Sequence, residues 1–476
     1  MPHLKPRLLT ALLLTAAALL APATSHAGTA SMQYFLQCDQ DREACVSYEA
    51  VGYEDPSNAV DPGPAEDNTV TLTSLDSGDV SVRDETAPVV AGYGCELRSA
   101  HEAWCESRAP EEDYAWWDAA VASGAGTDVV DATDFTFAEL LAVGGPGDDV
   151  IVGTRHDDEL RGGDGNDVVD GREGSDRLAG GGGIDTVDYG PRGLPVAVTL
   201  GGSGGTDLDR DGVADEGGER DALGAIENAI GGEGPDTLVG NSLPNVLRGG
   251  PGGDTLDGGA QGDVLDGESG ADTISYATRT ASAPVAVTLD GLANDGLDPD
   301  RDGVSRAGEE RDRDIAVERA TGGAGADRLT GSAGADVLAG GPGMDRLDGG
   351  FGADTLDGGT GLDTAYYGLR GATQPVAILL DGVRNDGADP NQDGESSIGE
   401  ERDRDVSIEN ATGGAGPDLL RAQLATANIL TGNGGADRLL ARDGGAAVDH
   451  VNCGAGADSF QADAVDAPSG CETALP

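Results

Sequence analysis

The 476-residue chain predicts an all-β fold, a parallel roll or β-solenoid of very short strands. Three observations predict it. Residues 144–188 read as five nine-residue units in unbroken register: GGPGDDVIV, GTRHDDELR, GGDGNDVVD, GREGSDRLA and GGGGIDTVD. Position 6 of each unit is an aspartate, namely Asp149, Asp158, Asp167, Asp176 and Asp185. Position 8 is always aliphatic: Ile151, Leu160, Val169, Leu178 and Val187. The first six residues are turn chemistry, since glycine reaches positive φ without steric cost. The last three form a strand too short to stand alone, with only the middle residue facing inward. A turn and a short strand, repeated, wind into a roll whose aliphatic column fills the core.

The same register recurs at 231–275 and 322–366 and, raggedly, at 413–449. Across the first three blocks position 6 is Asp in 14 of 15 units, Asn245 being the exception. The further carboxylates are Asp236, Asp254, Asp263, Asp272, Asp327, Asp336, Asp345, Asp354, Asp363, Asp418 and Asp437. A low-complexity glycine linker would keep neither the register nor the aliphatic column. Stacking sets one turn's carboxylate above the next, and such a column repels itself unless a cation intervenes. Ca²⁺, which takes roughly six to eight oxygens from carboxylates and backbone carbonyls, suits the site.

This pattern, G-G-x-G-x-D-x-U-x, resembles that of the RTX (haemolysin-type) calcium-binding nonapeptide-repeat family. The resemblance implies a β-roll with multiple Ca²⁺ ions held between successive turns on each side.

A net charge of −58 with 4% aromatic residues ordinarily signals disorder. Here it fits a chain disordered without calcium and folded with it. So acidic a chain makes nucleic acid and anionic membranes poor partners and calcium ions good ones. Residues 1–27 read as a secretory signal: His3, Lys5 and Arg7, then apolar Leu8–Leu20, then Ser25-His26-Ala27 as a cleavage site. The expectation is a secreted, extracellular protein. Six cysteines in an exported chain suggest disulfides. Proximity favours Cys38–Cys45, Cys95–Cys105 and Cys453–Cys471, although six cysteines allow about 15 connectivities.

Residues 28–122 form an N-terminal disulfide-bonded β cap, with strand-like Val70–Leu75 and Val80–Val82. Trp116 and Trp117 are read as covering the open end of the roll and not as a sugar platform, because solenoids need end caps. Residues 123–188 are the first block, 231–275 the second, 322–366 the third, and 413–449 a degenerate fourth. Residues 450–476, with Cys453 and Cys471, form a C-terminal cap. Inserts occupy 189–230, 276–321 and 367–412. Each carries a D-x-[DN]-x-D-G loop, a second set of candidate ligands. The second insert has EF-hand spacing with Asp298, Asp300, Asp302 and Glu309, and the third has Asp389, Asn391, Asp393 and Glu400. The first has Asp207, Asp209 and Asp211 but Gly218 at the twelfth position, so it is expected to bind more weakly or to use Asp215.

Catalytic motifs are scarce. The chain has no HExxH, and the G-x-S-x-G match at 201–205 lacks the strand-turn-helix setting of a nucleophile. The abundant carboxylates are explained by the repeat. The expected function is a secreted, non-enzymatic calcium-binding protein whose repeats fold on binding the ion. A calcium-stiffened adhesin or matrix protein presenting residues 28–122 to a surface partner is the alternative. A calcium-dependent secreted hydrolase ranks third.

Overall fold

The computed structural model describes residues 119–123, 125–136, 139–206, 219–299, 310–390, 392, 401–445 and 447–475. It also describes the N-terminal strands Tyr34–Cys38, Cys45–Tyr48, Thr69–Ser74, Val80–Asp84, Val89–Val90, Cys95–Ser99 and Glu102–Cys105. The proposed signal segment and most of each D-x-[DN]-x-D-G loop lie outside these residues.

Every nonapeptide contributes one short strand, and consecutive strands go to opposite sheets. Val150–Val152, Val168–Asp170 and Thr186–Asp188 pair in parallel in one ladder; Glu159–Asp164 and Arg177–Gly182 pair in the other. Partners are therefore two units apart, as in Ile151↔Val169 and Leu160↔Leu178. One coil of the roll is thus two nonapeptides. The two ladders face each other across the column of position-8 side chains, nearly all of them 0 or 1% exposed from Ile151 to Leu439. The long parallel ladders agree with the expected β-roll.

Each insert enters as a hairpin and returns in phase. Leu178 pairs forward with Leu223 instead of with the next nonapeptide, and Val187 pairs with Ala229. The insert's own strand, Val196–Thr199, pairs in parallel with Thr237–Val239. Between these, Ser203–Thr206 lies antiparallel to both neighbours, so the ladder passes through the insertion unbroken. The second insert repeats the arrangement with Ala293–Leu297 and the third with Arg384–Ala388. A tyrosine at the exit of each block, Tyr189, Tyr276 or Tyr367, is among the largest fully buried side chains.

At the N-terminal end, Thr69–Ser74 joins the first ladder in parallel with Val129–Asp134, and Val70 and Leu72 extend the core. Strands Val80–Asp84, Glu102–Cys105 and Cys95–Ser99 follow in antiparallel order. Their backbone register sets Cys95 opposite Cys105, and another hairpin sets Cys38 opposite Cys45. The side chains of these four cysteines lie outside the described residues. Cys453 and Cys471 are joined, with Cα atoms 5.1 Å apart. Residues 450–476, expected as a C-terminal cap, add strands to both ladders: His450–Asn452 and Ala467–Ser469 to one, Ser459–Gln461 and Thr473–Ala474 to the other. No helix among the described residues is long and apolar enough to cross a membrane.

The column predicts its own sensitivity. Leu347→Ala, at a wholly buried position, should cost about 3 kcal/mol in calcium-saturated urea unfolding. Leu369→Ala, 76% exposed, should stay within about 0.5 kcal/mol.

Candidate metal centre

The position-6 aspartates are buried because each sits inside the turn of its unit, 0–3% exposed throughout the repeats. Their two oxygens have different surroundings. Within a block Oδ1 accepts the backbone N–H of the position-6 residue one coil earlier: Asp149 N donates to Asp167, Asp167 N to Asp185, Asp327 N to Asp345, and Asp345 N to Asp363, each at 2.8 Å. Where no such aspartate precedes, the backbone N–H groups of Leu140, Val196, Val285 and Val376 donate to Asp158, Asp236, Asp327 and Asp418. This chain of hydrogen bonds runs along each edge of the roll.

Oδ2 separates the sites into two classes. In eleven of the sixteen expected repeat carboxylates (149, 167, 176, 185, 254, 263, 272, 345, 354, 363 and 437) Oδ2 is buried with no hydrogen-bond partner. In the other five the turn itself supplies a donor. The N–H of position 2 reaches Asp158 from Thr154, Asp236 from Gly232, Asp327 from Gly323, Asp336 from Ser332 and Asp418 from Gly414, at 2.5–2.7 Å. The hydroxyls of Thr154 and Ser332 add a further bond to their aspartates. Asn245 and Asn428 form a third class: their side-chain N–H groups donate to the carbonyls of Glu227 and Glu409. An amide hydrogen there occupies the direction in which an aspartate presents an oxygen.

Glycine shapes the cradle. A methyl group on Gly162 would overlap Asp167 Oδ2, and one on Gly163, whose φ is +134°, would overlap the Gly145 carbonyl of the preceding coil. The turns thus bring unpartnered carboxylate oxygens and stacked carbonyl oxygens close together with no side chain between them. The donors are all oxygen, as a hard divalent cation requires. A buried polar atom without a partner costs roughly 1–3 kcal/mol. The residues present therefore fit calcium, which would join carboxylates to turn carbonyls.

Protonation behaviour reports the same strain. Burial is the largest cause at every shifted repeat aspartate. It lifts the carboxyls of Asp149, Asp254, Asp263, Asp345 and Asp437 from 3.8 to about 7. The adjacent Asp221 charge helps to push Asp176 to about 9, and Asp403 helps to push Asp354 to about 8.

Several residues that fill this role lack the repeat's glycine at position 1 and were not expected from the sequence. Asp221, Asp312 and Asp403, from the ends of the inserts, accept the N–H of Asp176, Asp263 and Asp354 at 2.8–2.9 Å. Their Oδ2 atoms accept from Tyr189, Tyr276 and Tyr367 at 2.7–2.8 Å. Glu227, Glu318 and Glu409 do the same for Asp185, Asp272 and Asp363. The discernible signal is the ERD and IE/VE/IE recurrence across the three inserts. At one junction Asp354, Glu401 and Asp403 offer oxygens within 4.8 Å of one another. Near the C-terminus the turn role falls to Asp449 and Asp458, which accept from Asn428 and Asp437 at 2.9 Å. Read in nines, the unit 441–449 puts Ala446 at position 6. The actual coil is longer, with Asn428 and Asp449 21 positions apart, and the added residues shift the register.

Of the insert loops, Asp298 and Asp389 are buried, and their backbone N–H groups donate to Pro284 and Pro375. Asp207, Asp209, Asp211, Asp300, Asp302, Glu309, Asn391, Asp393 and Glu400 lie outside the described residues.

Residues 143–178, 152–187, 230–265, 239–274, 317–345 and 339–369 match the family model of the RTX calcium-binding nonapeptide repeat (4 copies). No curated protein matches the chain.

Two outcomes follow from this geometry. Asp345→Ala should weaken calcium binding roughly tenfold or more, whereas Asp158→Ala, whose partner set is already complete, should change it little, as read by calorimetric titration. The pH dependence should invert with calcium. Without the ion, carboxyls raised above 3.8 make the folded chain the better proton binder, so its stability is greatest below about pH 4 and falls as pH rises through 7. With saturating calcium the cation replaces those protons, and stability should rise over the same window. Thermal unfolding from pH 4 to 8, in chelator and in calcium, checks both signs.

Proposed function

We propose, for a chain that carries RTX calcium-binding nonapeptide repeats, that it is a secreted, non-enzymatic protein whose roll folds as its turns take up calcium. The carrying observation is the column of buried Oδ2 atoms with no partner. Without a cation the turns must bury charge against like charge or take up protons, and either choice opposes folding near neutral pH. Calcium that binds the folded turns alone then stabilises them by mass action. The ligands in this reading are the eleven unpartnered aspartates, joined by carbonyls of the turn glycines. Asp221, Asp312 and Asp403 complete the coils where an insert interrupts the repeat. The five aspartates bonded within their own turns serve as fixed structural acceptors.

Export rests on residues 1–27, with their basic start, apolar core and small-residue end. An extracellular destination would supply both calcium and the oxidising conditions that suit Cys453–Cys471. The abundant acids belong to turns and ladders, so they carry a structural load and no hydrolytic pairing is assigned to them.

Far-UV circular dichroism of the full chain during a calcium titration, with magnesium as the control, tests the reading. A calcium-specific gain of β signal between micromolar and millimolar concentrations is expected. A spectrum already folded in chelator and unmoved by calcium would overturn it.

A further inference from the structure

The second and third inserts carry acids where the first carries aliphatic or small residues. The inward position opposite Leu178 is Leu223. Its counterparts are Asp314, opposite Leu265, and Asp405, opposite Leu356. On the antiparallel strand alongside, Gly204 faces Asp221, while Asp295 faces Asp312 and Asp386 faces Asp403. In the turn before that strand, Gly201 corresponds to Asp290 and Asp381. All three acidic positions thus change together between inserts, as parts of one site would.

These side chains are deeply buried. Asp295 and Asp386 are 0% exposed, and Asp314 and Asp405 are 3% exposed. Asp295 and Asp314 lie within hydrogen-bonding reach of each other. Neither carboxylate oxygen of Asp405 has a partner, and Oδ2 of Asp386 and Oδ1 of the adjoining Asn385 also lack one. In the second insert Asp295 Oδ2 and Asn294 Oδ1 are bare in the same way. The remaining contacts are few. Thr288 N–H donates to Asp295 and Leu379 N–H to Asp386, and Gly291 N–H reaches Asp314 at 3.2 Å. Asp290 and Asp381 sit at the rim and add charge of the same sign, with Asp381 partly answered by exposed Arg421.

We propose that the second and third inserts each hold one calcium-type divalent cation inside the roll. Its ligands are Asp295, Asp314 and Asn294 in the second insert and Asp386, Asp405 and Asn385 in the third. Two buried carboxylates balance a double positive charge, and a carboxylate-plus-amide oxygen set selects a hard ion. These sites are distinct from the turn sites because their acids stand at strand positions and not at position 6 of a nonapeptide. The first insert, with Gly201, Gly204 and Leu223, has no such site. The proposal rests on the calcium reading above only in requiring that the roll fold.

Native mass spectrometry of the full chain in calcium tests it by counting ions. Asp314→Leu combined with Asp405→Leu, which installs the residue native to the first insert, should lower the count by two, and either change alone by one. Asp314→Asn with Asp405→Asn keeps the side-chain volume and supplies the count should the leucine pair fail to fold. An unchanged count in a folded variant would overturn the proposal and leave each pair as two carboxyls sharing a proton. A wild-type chain that binds no calcium at all would instead sink the repeat reading, so the two failures are distinguishable.

Discussion

The fold depends on one hydrogen bond repeated along both edges of the roll, from an aspartate's backbone N–H to the Oδ1 of the aspartate one coil later. It fixes the height of each coil, holds the carboxylate inside its turn, and leaves Oδ2 pointing into the gap between coils. The stabilising contact and the unpartnered oxygen therefore belong to one side chain. A roll stacked in this way cannot lengthen without adding buried negative charge. Each added coil therefore sets the cost of a buried carboxylate against the gain in core contact. The aliphatic column is a single residue wide on each sheet and offers little beyond the coil-to-coil contact of neighbours.

Much of this was legible in the sequence. Gly at positions 1, 2 and 4, Asp at 6 and an aliphatic residue at 8 state the turn, the acid and the core separately, and Ile151 through Leu439 fall into place accordingly. What the sequence could not state was which oxygen has a partner. Asp158 and Asp167 occupy the same motif position, yet only Asp158 is served by its own turn: the position-2 N–H of Thr154 turns inward, as those of Gly232, Gly323 and Gly414 do, whereas Gly163 takes a φ of +134° and its N–H does not. That distinction lives in backbone orientation, which a motif does not encode.

The inserts were read as loops with their own ligand sets, and their ladder strands were only partly visible. A Pro-Val-Ala run opens the parallel strand of each insert, at 195–197, 284–286 and 375–377. The antiparallel return through Ser203–Thr206 is made of Ser, Gly and Thr and has no hydrophobic alternation to announce it. The junction acids Asp221, Asp312 and Asp403 were hidden for a related reason: they act at position 6 although position 1 is Glu216, Ala307 or Ile398 and not glycine. The C-terminal coils were obscured by added residues, since a shift of register moves the acid without changing its environment.

The three hairpins do not enter the same sheet. The first and third interrupt the ladder that contains Leu178 and Leu356, and the second interrupts the ladder that contains Leu265. The cause is parity. A block of five nonapeptides is an odd number of half-coils, so each superunit hands its insert to the opposite side of the rod. Whatever the inserts present is displayed on alternating flanks at staggered heights, and the molecule has no single insert-bearing face. A block of four or six nonapeptides would have aligned all three on one flank and made a one-sided comb. The choice of five makes the rod two-sided.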